Sequence, residues 1–131
     1  MFCLADTHIA LWVVEDSNRI PKKIKSMLKN PDNCWYLSYA SVWEVALKHA
    51  KHPSKIPLTA KQFHDACVTS GFKDLPIRLE HIYATEYLPN ESVHSDPFDR
   101  MLLTQAHNED FLLVTQDEAF KKYKDPHILI A

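Results

Sequence analysis

Short β-type runs alternate with helix-periodic segments along this chain, and that alternation leaves few ways to fold it. The runs Phe2–Ala5, Cys34–Ser38, 111–115 and 127–130 are apolar or aromatic and too short for helices. Between them, apolar residues recur at three- and four-residue spacing, as at Ile24, Met27 and Leu28, and again at Phe98, Met101 and Leu102. Strands alternating with helices predict an α/β fold, with right-handed crossovers around a mostly parallel sheet.

Local signals mark the boundaries. A helix over Thr7–Val14 follows the first strand, and Pro21 suits the first turn of a second helix. Ser41 reads as the start of a third, running to about His49, with residues 50–58 as a loop. Thr59 is a good N-cap for a helix bearing Phe63, Ala66 and Cys67 on one face. Gly71, the only glycine, stands where a helix end wants a left-handed residue. A short strand at 75–77, a helix at 80–88 and a polar loop at 89–95 complete the reading. Trp12, Trp35 and Trp43 read as core aromatics, with Trp43 packing inward.

With 131 residues, the chain is long enough for one domain (1–131) with a real core. A net charge of −2 gives no global positive field, so any nucleic-acid affinity must come from a local patch or from metal ions. The densest basic stretch holds Lys48, His49, Lys51, His52, Lys55 and Lys61. Cys3, Cys34 and Cys67 lack the spacing of a zinc or redox motif and read as free thiols in a reducing compartment. His49 and His52 lack the partners of a zinc site. No basic stretch precedes the first apolar run and no apolar run is long enough to span a bilayer, so a cytoplasmic protein is expected.

Four acids sit at strand–helix junctions. Asp6 follows the first strand, Glu44 follows the second, Asp99 lies on the first turn of a helix, and Asp117 lies two residues past Thr115. In open α/β sheets, ligands collect outside the carboxyl ends of the strands, where all four could meet. Each acid also has a purely local explanation. Asp6 can cap a helix, Ser41 and Glu44 fit a capping box, and Asp117 fits a turn. Asp99 suits the positive end of a helix dipole, and Asp96 before Pro97 is a helix cap in its own right. Jointly, however, clustered carboxylates repel one another unless a cation neutralises them. Mg²⁺ or Mn²⁺ suits an all-oxygen donor set and can activate water for phosphodiester hydrolysis.

The segments Leu4-Ala5-Asp6-Thr7-His8, Ser41-Val42-Trp43-Glu44-Val45-Ala46-Leu47-Lys48, Asp96-Pro97-Phe98-Asp99-Arg100 and Leu113-Val114-Thr115-Gln116-Asp117 occur in that order. Together they resemble the PIN-domain nucleases, in particular the VapC-type toxins of bacterial toxin–antitoxin pairs. The resemblance implies a three-layer α/β/α fold and an endoribonuclease using Mg²⁺ or Mn²⁺. It also implies a homodimer held inactive by a cognate antitoxin. Asp6, Glu44 and Asp99 match the three core acids of the family, Asp117 the variable fourth, and Thr115 the hydroxyl residue beside it. Arg100 and Asp96 stand as supporting residues, Arg100 leaning towards a structural role. His8 lies close enough in sequence to Asp6 to border the pocket.

Two other readings compete. One is a catalytically silent PIN-like module that binds RNA or a protein partner. The other is a small-molecule phosphatase, which is disfavoured because His8 stands where an aspartyl-phosphate route would place a second Asp.

Overall fold

Five parallel strands form the centre of the computed structural model, which describes residues 1–88 and 96–131. The strands are β1 (Phe2–Ala5), β2 (Cys34–Ser38), β3 (Lys73–Leu75), β4 (Leu112–Thr115) and β5 (Ile128–Ile130). They lie in the order β3-β2-β1-β4-β5, every neighbouring pair parallel. The helices are α1 (Thr7–Val14), α2 (Lys22–Lys29), α3 (Tyr39–Lys51), α4 (Ala60–Thr69), α5 (Leu79–Thr85) and α6 (Pro97–Glu109). A 3₁₀ turn, Glu118–Tyr123, joins β4 to β5. Among the described residues, no helix is long and apolar enough to cross a membrane.

The two-residue period of a strand sorts the core onto two faces. Cys3, Ala5, Trp35, Leu37 and Val114 point one way and pack with Ile9 of α1, Ile24 of α2, and Phe63 and Cys67 of α4. Leu4 and Leu113 point the other way and meet Leu102, Leu103 and Ala106 of α6 together with Phe120. The result is the expected three-layer α/β/α architecture, with a sheet covered on both sides. Cys3 and Cys67 are buried and Cys34 half-buried, all as free thiols. Burial pushes the Cys3 thiol up to about 11 and the Cys67 thiol up to about 12, which leaves both unreactive.

Several boundaries differ from the sequence reading. The third strand is Lys73–Leu75, because its ladder to β2 ends at the pair Ser38–Leu75 and Pro76 has no N–H to continue it. Pro21 is the N-cap of α2, one residue before the helix. Helix α3 begins at Tyr39 and is capped by Ser38, whose hydroxyl accepts from the Ala40 amide (3.0 Å). The capping box expected at Ser41 and Glu44 is therefore absent, and Glu44 sits on the second turn. The same helix runs on to Lys51, past the expected end at His49. Helix α5 ends at Thr85, short of the expected Leu88. Trp43 points outward, exposed and edge-on to Phe98 at 5.1 Å, not into the core. The loop expected at 89–95 lies outside the described residues.

Gly71 does what its position demands. Its φ of +103° lets α4 end in paired backbone bonds, Gly71 N–H to Val68 (3.0 Å) and Phe72 N–H to Cys67 (3.0 Å). That closure delivers buried Phe72 to the core just before β3. Nothing lies within 4 Å of an added Cβ, so the cost of a side chain there is conformational. Gly71→Ala is expected to destabilise the chain by about 1–2 kcal/mol, measured by urea unfolding with an unchanged m-value.

Candidate active site

The strand order decides where a site can form. From β1 the chain steps outward to β2 and β3, then returns to place β4 on the other side of β1. The connections from β1 and β4 thus diverge, opening a crevice at the carboxyl ends of these two strands. Asp6 follows β1, and Thr115 closes β4 beside it, with the Asp6 amide donating to the Val114 carbonyl (3.0 Å).

Asp6 is only 7% exposed, so its carboxylate depends on directed donors. The Thr7 amide donates to Oδ1 (2.7 Å), making Asp6 the N-cap of α1, and the Thr115 hydroxyl donates to Oδ2 (2.7 Å). Both readings of Asp6, cap and pocket acid, therefore hold in one geometry. Burial pushes the Asp6 carboxyl above the usual carboxylate range. The Thr115 hydrogen bond, His8 and the Thr7 amide pull it back, and nearby Glu44 adds to the rise.

Glu44 is equally buried, and each of its oxygens has a partner. The Thr7 hydroxyl lies 2.7 Å from Oε1 and 2.9 Å from the Ser41 hydroxyl, and Lys48 Nζ lies 2.7 Å from Oε2. Thr7 thus touches both buried acids, one through its amide and one through its hydroxyl. The start of α3 is anchored to α6 by the Ser38 hydroxyl, 2.5 Å from Gln105 Oε1.

These groups border a cavity of about 350 Å³ lined by Asp6, His8, Trp12, Glu44, Lys48, Asp96, Asp99, Gln116 and Asp117. All four junction acids reach it. Asp96 also caps α6, accepting from the Phe98 (2.9 Å) and Asp99 (3.1 Å) amides, and it adds a fifth carboxyl to the lining. Asp117 accepts from the Ala119 amide (2.9 Å), and its own amide donates to Thr115 Oγ1 (2.9 Å). Thr115 is therefore a bridge between Asp6 and Asp117. Arg100 turns away and donates to the Thr85 carbonyl (3.2 Å), joining α6 to α5. Of the basic stretch, only Lys48 lines the cavity. The sequence reading pairs Ser41 with Glu44 only through a capping box and does not pair Thr7 or Lys48 with the acids. The available signals were a hydroxyl residue directly after Asp6 and a lysine four residues after Glu44.

Among the described residues, five carboxyl groups face one ammonium and the His8 imidazole, a donor set dominated by oxygen and carrying excess negative charge. Such a set fits Mg²⁺ or Mn²⁺ better than a nitrogen- or sulfur-preferring ion.

The PIN domain family profile matches residues 3–126, and the chain belongs to this family, whose members are in general nucleases. No curated protein sequence matches the chain. Solved structures share the fold. VapBC-1 from nontypeable Haemophilus influenzae aligns with a TM-score of 0.70 at 16% identity, over 99% of this chain and 98% of that one. VapBC2 from Rickettsia felis, bound to a DNA fragment from their promoter, aligns at 0.68 and 17%, over 100% and 98%. A toxin–antitoxin complex from Klebsiella pneumoniae aligns at 0.63 and 20%, over 97% and 95%. At these identities the likeness is one of fold.

Because the Asp6 pKa is raised on folding, the folded chain loses stability relative to the unfolded one as pH climbs through and above the carboxylate range. In chelator at neutral pH, Asp6→Asn is therefore expected to raise the melting temperature, read by differential scanning calorimetry against wild type.

Proposed function

We propose that this chain is a divalent-metal-dependent endoribonuclease acting as the toxin of a toxin–antitoxin pair. The observation that carries the reading is the convergence of Asp6, Glu44, Asp99 and Asp117 on one cavity at the crevice between β1 and β4. Membership of the PIN family and the fold shared with toxin–antitoxin complexes support it.

Asp6, Asp99 and Asp117 would hold Mg²⁺ or Mn²⁺, with Glu44 completing the anionic pocket. When bound, such an ion polarises a phosphoryl oxygen and lowers the pKa of water. The protein's own groups do the positioning. Thr115 orients Asp6 and receives the Asp117 amide, so the two acids on neighbouring strand ends keep a constant separation. Thr7 orients Asp6 and Glu44 together. Lys48 offsets the charge of Glu44 and, with its side chain 45% exposed, presents a cation at the rim for a backbone phosphate. The partners of this reading are an RNA substrate, a cognate antitoxin and a second copy of the chain in a homodimer.

Antitoxin-free protein incubated with a mixed RNA panel is expected to cleave in Mg²⁺ or Mn²⁺ and not in EDTA. Asp99→Asn, purified identically, is expected to lose at least about 10²-fold in rate, equivalent to about 2.7 kcal/mol of transition-state stabilisation. Equal cleavage by the variant would remove the acid pocket from the chemistry.

A further inference from the structure

At the opposite end of the sheet from the acid pocket, two histidines and an aspartate meet. His107 lies on the last turn of α6, and Asp125 and His127 lie just ahead of β5. One ligand atom from each comes within 4.8 Å of the others. With β4 rising about 3.3 Å per residue over its length, this cluster stands on the order of 13 Å from the acid pocket. We infer that His107, Asp125 and His127 form a second metal site, for Zn²⁺ or a similar borderline ion, that clips the end of α6 to the start of β5.

Three observations carry this. His127 Nδ1 faces Asp125 Oδ1 at 2.9 Å, and ligands about 2.0–2.2 Å from Zn²⁺ at about 90–110° lie about 2.8–3.6 Å apart. An ion therefore fits between them in place of the shared proton, which leaves as the ion binds. The other ring nitrogen, Nε2, lies 2.8 Å from Asp110 Oδ1. Metal-ligating histidines are held in that way, by a carboxylate on the nitrogen that does not face the ion. Asp125 is fixed by accepting the His127 amide (2.8 Å), and the exposed His107 ring sits 4.9 Å from the His127 ring. Two imidazoles and one carboxylate prefer Zn²⁺, Co²⁺ or Ni²⁺ to Mg²⁺, the reverse of the acid pocket.

The test uses the full chain carrying Asp6→Asn and Asp99→Asn, which weakens the acid pocket, stripped with chelator and titrated with ZnCl₂ by calorimetry. The expected result is one Zn²⁺ per chain and a raised melting temperature in Zn²⁺. Adding His107→Ala is expected to abolish both. Adding Asp110→Asn, which keeps a residue tolerant of the left-handed backbone there (φ 58°), is expected to weaken binding roughly 10–100-fold, read against the metal-free melting temperature of the same variant. No Zn²⁺ binding, or binding equally tight in the His107→Ala protein, would overturn the site and assign any uptake to other groups such as the three thiols.

Discussion

Two buried carboxylates at the carboxyl edge of the sheet, Asp6 after β1 and Glu44 on α3, set the terms for the rest of this molecule. Asp6 and Glu44 are both almost removed from water, and each is held by hydroxyl, amide or ammonium donors placed for it. A buried acid without such donors would take up a proton or unfold its surroundings. Thr7 and Thr115 therefore have little freedom to vary, and Ser41 and Lys48 complete the shell. Burial pushes the Asp6 carboxyl up and nearby Glu44 adds to the rise, so a cation in the pocket would offset the cost of ionising both.

The topology explains why these acids meet. Order β3-β2-β1-β4-β5 makes the β1–β4 boundary the point from which the chain departs in opposite directions. A crevice there costs no core, since both faces of the sheet stay covered by separate helix layers. Asp6 and Asp117 come from the two strand ends, Asp99 and Asp96 from the first turn of α6, and Glu44 from α3. Three of the pocket acids are also caps, Asp6 of α1, Asp96 of α6 and Asp117 of the 3₁₀ turn. Asp6 and Asp96 each use one oxygen on backbone amides, and that bond fixes the direction in which the carboxyl faces the cavity.

Much of this was legible from local chemistry. The apolar runs located β1, β2, β4 and β5 because fully covered parallel strands must be continuously hydrophobic. Gly71 and Thr59 marked their helix ends because the backbone there admits few residue types. What could not be read were contacts set by tertiary packing. Ser41 looks like a cap, but Ser38 wins because the chain leaves the sheet directly into α3, freeing Ser41 to face Thr7. Trp43 looks like core, but the inward face of α3 is taken by Ala40, Ser41, Glu44 and Val45. The third strand reads two residues late, at 75–77, since Lys73 and Asp74 at the sheet edge carry no apolar signal. The meeting of His107, Asp125 and His127 depends on the return of β5 beside β4, which no local pattern encodes.

On the proposed reading, the crevice lined by Asp6, Glu44, Asp96, Asp99 and Asp117 is a cation site built around Asp6. The most direct measurement is Mn²⁺ binding to the chelator-stripped chain, followed by electron paramagnetic resonance of the free ion. Saturable uptake by wild type is expected, lost in Asp6→Asn/Asp99→Asn and weakened in Thr115→Val, which removes the hydroxyl that bridges Asp6 and Asp117. Uptake that is the same in all three proteins, or no uptake by wild type, would contradict it.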